Sequence, residues 1–317
     1  MILVTGGAGF IGSHLCEALA ARGERVRVLD DLSSGREENL AAVRDRVELV
    51  RGSVVDGAAV AHAMEGVTTL FHLAAIPSVP RSFTEPELCH AVNATGTLHV
   101  VVAAARARAR RLVFASSCAV YGDAGEAPVT EERPSAPKSP YAAQKLLGER
   151  YLREYGASHG LETVALRFFN VFGPRQDPRS PYSGVISIFC EKLLRGEPAP
   201  IHGDGAQTRD FVEVGDVVQA LLLAADVETA DGGTFNVGSG SSRTLLELHA
   251  ALARCVGSAR PPVHGPARAG DVRRSAASIE LARRRLGYSP RIRFEEGLAC
   301  TIEWFKRRAA ELGSVGR

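Results

Sequence analysis

A short apolar strand pattern, Ile2 to Thr5, runs straight into Thr5-Gly6-Gly7-Ala8-Gly9-Phe10-Ile11-Gly12. Glycines at this spacing let a chain turn sharply out of a strand into a helix. They also let backbone N–H groups and a helix N-terminus approach a pyrophosphate. The segment contains both Gly6-x-x-Gly9-x-x-Gly12 and Gly7-x-Gly9-x-x-Gly12. A glycine motif alone is a weak signal, but here it follows a strand, opens a helix and is answered by Asp30 at the end of the next apolar run. A carboxylate there can bind the ribose hydroxyls of an adenosine.

These three features predict a dinucleotide site. Asp30 and Asp31 would repel a 2'-phosphate, which favours NAD over NADP, with Arg36 the nearby cation that argues the other way. Further along, apolar or β-branched runs at Arg25 to Leu29, Val47 to Val50, Thr69 to His72, Arg111 to Ala115 and Thr163 to Arg167 alternate with helical patterns. Strands of this kind separated by helices require a parallel sheet covered on both faces, so the first 170 or so residues read as a doubly wound α/β unit. After Asn170 a turn-rich stretch leads into a helix-like run from about Ser183 to Arg195 and opens a second lobe. The segment from Asp210 to Val237 again offers a helix and a strand, Thr234 to Val237, which can return to the sheet. The expected organisation is a dinucleotide-binding domain at 1–170 plus about 209–238, and a smaller C-terminal α/β substrate lobe at about 171–208 and 239–317.

Composition excludes several classes. With 45% hydrophobic residues, 23% charged residues and a net charge of +2, the chain can bury a large core and has no electrostatic bias toward nucleic acid or membrane. The cluster Arg106, Arg108, Arg110 and Arg111 reads as cations at a helix C-terminus. Six cysteines, at 16, 89, 118, 190, 255 and 300, lie far apart as scattered thiols, and the nine histidines show no ligand spacing, so no metal site is expected. Reduced thiols, the lack of a basic leader and the lack of a bilayer-length apolar stretch all lead to a cytoplasmic expectation.

The fifth apolar run ends in Ala115-Ser116-Ser117-Cys118-Ala119-Val120-Tyr121-Gly122, and a later helix begins Pro140-Tyr141-Ala142-Ala143-Gln144-Lys145. Tyr141 and Lys145, four apart, share a helical face. An ammonium beside a phenol favours the phenolate and brings tyrosine toward use as a general base, with Ser117 holding the same substrate hydroxyl.

The combination of TGGAGFIGS, FASSCAVYG, SPYAAQK, LRFFNVFGP and GDGAQTRDF resembles the extended short-chain dehydrogenase/reductase family, in particular its nucleotide-sugar epimerases and dehydratases. The resemblance spans nearly the whole chain, with the motifs in family order. It implies a Rossmann-type fold, NAD, a UDP-sugar substrate and catalytic Ser117, Tyr141 and Lys145. It further implies cofactor contacts at Gly6, Gly9, Phe10, Ile11, Gly12, Asp30, Asp31, Ser34, Gly35, Ser53, Val54, Leu73, Ala74, Ala75 and Phe168, besides Tyr141 and Lys145. Substrate contacts are implied at Ser78, Ser117, Cys118, Asn170, Gln176, Val185, His202, Arg209, Arg268, Asp271 and Ser275. Fixed arginines also make independent sense, since a diphosphate needs forked cationic donors.

The expected reaction is 4-epimerisation of a UDP-hexose: oxidation at C4, rotation of the 4-keto sugar and hydride return. Dehydratases and decarboxylases of this family resemble one another in an acidic residue two before the Val-Tyr-Gly tyrosine. That place is Ala119 here, which makes those branches less favoured. A dehydratase, a reductase or a uronate 4-epimerase on the same scaffold remains an alternative, and a non-catalytic NAD-sensing module a remote one. Small Ser275, where a bulky aromatic would narrow the sugar pocket, permits N-acetylated as well as plain hexoses. The sequence departs from the family pattern at Ser53, at Pro77 and at His202, which weakens the adenine and uracil contacts. The helices near Ala91 to Arg106 and Tyr141 to Ser158 resemble the pair that forms a homodimer in this family, through positions such as Leu98, Val102, Leu147 and Tyr151.

Overall fold

Alternating strand and helix patterns produce the elements in chain order. The computed structural model describes residues 1–123, 125, 128–177, 184–267 and 273–314. Its first half contains β1 (Ile2–Thr5), α1 (Phe10–Ala21), β2 (Val26–Asp30), β3 (Val47–Arg51), α2 (Gly57–Ala63), β4 (Thr69–His72), α3 (Val79–Thr84), α4 (Pro86–His90), α5 (Gly96–Arg106), β5 (Arg111–Ser117), α6 (Pro140–His159) and β6 (Glu162–Phe168). There follow β7 (Asn170–Phe172), α7 (Val185–Leu194), β8 (Pro200–His202), β9 (Thr208–Arg209), β10 (Phe211–Glu213), α8 (Val214–Asp226), β11 (Thr234–Val237), β12 (Arg243–Thr244), α9 (Leu245–Val256), β13 (Val263–Gly265), α10 (Glu280–Leu286) and α11 (Phe294–Ser314).

Among these residues β11-β6-β5-β4-β1-β2-β3 form one seven-stranded parallel sheet. The chain winds outward through β2 and β3, then crosses back to β4 and winds the other way. The winding reverses between β1 and β4, where Thr5 lies beside His72. In a doubly wound sheet the crevice at such a reversal, beyond the strand carboxyl ends, takes the ligand. As expected, Thr234–Val237 returns to the sheet, pairing with β6.

Successive strand residues point to opposite faces, and both faces are covered. Val4, Val28, Phe71 and Val113 join Leu15 and Leu19 of α1, Leu221 of α8 and Leu286 of α10 in one core. Leu3, Leu29, Leu70 and Leu112 join Val60 of α2, Val100 of α5 and Leu152 of α6 in the other. A third core gathers Phe189 of α7, Leu248 of α9 and Ile302 of α11 around Phe172 and Phe211.

Three sequence expectations need adjustment. Strand β5 runs on to Ser117, two residues past its expected end, because Ala115, Ser116 and Ser117 keep register with Leu166, Arg167 and Phe168. The arginine cluster serves two ends: Arg106 closes α5, while Arg111, fully buried, pairs with Glu162 at 2.7 Å and donates to the carbonyls of Ala224, Ala225 and Val227 at the end of α8. Finally, α4, a π turn over Ala91–Thr95 and α5 make one helical rod, Pro86–Arg106, that by length and composition could cross a membrane. Here it packs against α2 and α6.

Candidate active site

The glycine turn is built so tightly that three of its positions, Gly6, Gly7 and Gly12, exclude a side chain; on Gly7 a Cβ would lie 2.5 Å from a Val28 methyl. Gly6 has φ +70, and a Cβ there would lie 2.8 Å from the Ala74 nitrogen; one on Gly12 would lie 2.2 Å from the Gly6 carbonyl oxygen. Gly9 differs, since its nearest neighbour for a Cβ is the Gly6 oxygen at 3.2 Å. It is the N-cap of α1, which has neither a side-chain cap nor an acidic residue in its first turn, where Phe10 and Ile11 sit. Asp30, nearly buried, accepts from the N–H groups of Ala8 and Leu32, both at 2.9 Å. Burial pushes its carboxyl above the usual range, while those two N–H groups pull it back. Gly35 backs onto the same carboxylate: a Cβ there would be 2.9 Å from both oxygens.

The other expected cofactor residues divide. Leu73 and Ala74 sit at the end of β4, bonded through their N–H groups to the Thr5 carbonyl and hydroxyl, and Ala75 follows them. Val54 and Phe168 are buried at the ends of strands or just beyond. Asp31, Ser34 and Ser53 are less committed to the crevice: Asp31 caps Ser33, Ser53 accepts from Val55 at 3.4 Å, and Ser34 is exposed.

Ser139 caps α6, accepting from Ala142 at 3.2 Å, and Pro140 fixes its first turn, so Tyr141 leaves the helix start facing the end of β5. There Ser117 draws the phenol's pKa down, while the Ser117 oxygen accepts from Ala119 at 3.2 Å. Lys145, one turn on, donates to the Ala115 carbonyl at 2.8 Å and lies 4.8 Å from the Phe114 ring centre. The three expected residues do converge, but their electrostatics differ from expectation. Burial pushes Tyr141 up to about 12 against the pull of Ser117, and burial lowers Lys145 to about 7 against the pull of Glu149. In the polypeptide itself desolvation dominates both groups, and the ammonium is directed to a carbonyl and a ring face.

Sequence reasoning missed what stands behind this trio. Glu149 lies one further turn along the same face of α6, accepting from Ser116 at 2.5 Å and from Arg167 through both oxygens, at 2.9 and 2.7 Å. Arg167 in turn lies 4.7 Å from the Tyr121 ring centre, and the Tyr121 hydroxyl donates to Asn236 on β11 at 2.7 Å. His72, fully buried between the hydroxyls of Thr5 (2.7 Å) and Thr97 (3.0 Å), is driven down to about 3 by burial and by Lys145, so it stays neutral. The i, i+4, i+8 spacing of Tyr141, Lys145 and Glu149 was the available signal.

On the far side of the crevice the expected substrate residues spread over several segments. Asn170 opens β7 and is bonded through its N–H to the Asp210 carbonyl at 3.0 Å. Arg209, on β9, donates to the Thr208 carbonyl, and its charge lowers Cys118, whose thiol burial nonetheless pushes up to about 12. That thiol is therefore protonated and unreactive. Ser275 is half-buried, Val185 starts α7, and His202 faces the Pro266 carbonyl at 3.3 Å. Gln176 is tied to the Val171 carbonyl and Ser187, while Ser78 is the N-cap of α3, accepting from Arg81. Arg268 and Asp271 lie outside the described residues. Asp210, beside Arg209 at the start of the segment that returns to the sheet, is completely buried and gathers Ser239, Gly240 and Ala277 onto its two oxygens.

Residues 2–238 match the model of the NAD dependent epimerase/dehydratase family. The chain belongs to that family. Among its relatives, the UDP-glucose 4-epimerase of Mycolicibacterium smegmatis is 43% identical over 311 residues, covering 97% of this chain and 99% of that protein. The solved UDP-glucose 4-epimerase of Thermotoga maritima with UDP-glucose superposes with a TM-score of 0.93 at 38% identity, covering 97% and 99% of the two chains. A UDP-N-acetylglucosamine 4-epimerase from Methanobrevibacter ruminantium, in complex with UDP-N-acetylmuramic acid, matches equally well: TM-score 0.93, 38% identity, coverage 97% and 98%.

The residues present fit the NAD of an NAD-dependent epimerase/dehydratase. The Gly6 and Gly12 cradle leaves no room for a Cβ, the uncapped start of α1 offers N–H groups to a diphosphate, and Asp30 offers carboxylate oxygens at the end of β2.

Proposed function

We propose that the chain is an NAD-dependent UDP-hexose 4-epimerase acting on UDP-glucose and UDP-galactose, on the N-acetylhexosamine pair, or on both. The observation that carries this reading is the meeting of Tyr141 with Ser117 at the carboxyl end of β5, with Lys145 one turn on along α6 and anchored to the Ala115 carbonyl, in the crevice that begins with the glycine turn. Ala119, two residues along, brings no carboxyl to assist elimination of water, which favours epimerisation over dehydration. The equal likeness to a UDP-glucose and a UDP-N-acetylglucosamine epimerase, together with small Ser275, supports the broad sugar range.

The glycine turn with Phe10 and Ile11 would hold the NAD diphosphate, Asp30 the adenosine ribose, and Lys145 with Tyr141 the nicotinamide end. NAD, when bound, supplies the acceptor for the C4 hydride and its return. Ser117 orients the sugar C4 hydroxyl toward the Tyr141 oxygen, which takes its proton and gives it back once the 4-keto sugar has turned over. Lys145, as an ammonium, would hold the tyrosine oxygen in its basic form, with Glu149 raising the lysine's pKa against its burial. Arg209 and Arg268 would grip the diphosphate while the hexose rotates, with Asp271 on the uridine ribose.

In this reading residues 1–170 with about 209–238 carry the cofactor, and about 171–208 with 239–317 carry the nucleotide sugar. Leu98, Val102, Leu147 and Tyr151, half-buried on α5 and α6, would meet the same helices of a second copy in a cytoplasmic homodimer. The test is Tyr141→Phe. Turnover should fall by about 10²–10⁴-fold with NAD still bound. Wild-type enzyme should convert UDP-glucose to UDP-galactose with no net change in NADH absorbance; a dehydrated or oxidised product would replace the proposal with one of its relatives' reactions.

A further inference from the structure

Arg36 is the residue that argues against NAD preference, and its surroundings answer the question. Its N–H donates to the Ala8 carbonyl at 3.0 Å, and its neighbour Gly35 lies against the Asp30 carboxylate, so its backbone is fixed beside the glycine turn. The guanidinium, however, meets two carboxylates. One nitrogen pairs with Asp177 at 2.6 Å; the other lies 3.6 Å from Glu38, which Arg308 of α11 holds at 2.7 Å.

Asp177 arrives from 141 residues further along the chain, in the loop after β7. That loop is fastened to α1 at several points. His14 bonds the Pro174 carbonyl at 3.0 Å, and Arg175, at φ +70, reaches Ser13 at 3.3 Å and Glu17 at 2.5 Å. The carboxylate is therefore delivered to Arg36 by a segment anchored on the first turns of the cofactor helix.

We propose that Asp177 is a specificity-determining residue for the dinucleotide: by neutralising Arg36 it denies a 2'-phosphate its cationic partner, so NAD is chosen over NADP. The inference rests on the placement of the adenosine ribose at Asp30. A 2'-phosphate there would face Asp30 and Asp31, and only a guanidinium able to turn toward it could offset that repulsion. Arg36 can do so only by giving up carboxylates already in contact.

The test is competition. Purified enzyme is equilibrated with equal concentrations of NAD and NADP, freed of unbound ligand by rapid gel filtration, and its bound dinucleotides are quantified chromatographically. Releasing a partly exposed ion pair predicts a rise in the bound NADP/NAD ratio of about two- to fivefold in Asp177→Asn. Glu38→Gln, which frees the guanidinium from its other side, should shift the ratio in the same direction and decides the matter if Asp177→Asn does not fold. Adding Arg36→Gln to either variant should restore the wild-type ratio. An unchanged ratio in the folded single variants, or a rise that survives loss of Arg36, overturns the proposal. Failure of the wild-type enzyme to retain NAD at all would instead sink the cofactor-site reading.

Discussion

Lys145 carries a cost that its role explains. An ammonium nearly out of reach of water is held at about 7 instead of its ordinary 10.5. The sign follows from linkage: below pH 7 both folded and unfolded chains bind this proton and the residue contributes no pH dependence. Between 7 and 10.5 the unfolded chain binds more protons, so its contribution to stability rises with pH. Denaturant melts of wild type and Lys145→Met across that range should show their stability difference moving in favour of wild type as pH increases, and flat below it. Glu149→Gln would remove the anion that sustains the charge and move the onset to lower pH. The trio Ser117, Tyr141 and Lys145 was legible because helix periodicity and a strand end are local patterns. The Glu149–Arg167 pair was not, since its partners sit on different elements 18 residues apart and only the sheet brings them together.

At the level of elements, the turn between β1 and α1 separates the demands of folding from those of binding. Gly12→Ala would drive a methyl into the Gly6 carbonyl and push α1 off the sheet. Overpacking of this severity costs roughly 1–3 kcal/mol or more. Gly9→Ala has ordinary φ and a single contact at 3.2 Å, so its effect on stability should stay below about 1 kcal/mol. It should nevertheless weaken NAD, because the methyl projects where backbone must approach the diphosphate. Thermal melts and NAD dissociation rates for the two variants check this contrast. Strands β1 to β6 were readable from their apolar runs, and β11 from its spacing. The pairs β7·β10, β8·β13 and β9·β12 were not, because two or three residues carry no periodicity and their partners lie 34 to 63 positions away.

Across the whole molecule, the sugar side of the crevice depends on one buried carboxylate. Asp210 holds the loop after β11 and the segment at Ala277 against β9 and β10 through four hydrogen bonds. Asp210→Ala would leave those donors unsatisfied at about 1–3 kcal/mol each before relaxation. UDP affinity should suffer more than NAD affinity, since the fastened segments flank Arg209 and Ser275 rather than the glycine turn; calorimetric titration with UDP and with NAD reads the difference. The central claim, that one tyrosine-centred site oxidises C4 and returns the same hydrogen, is tested most directly with UDP-glucose deuterated at C4. UDP-galactose formed by this enzyme in ordinary water should retain the deuterium at C4. Product that has exchanged its C4 deuterium for solvent hydrogen would contradict the account.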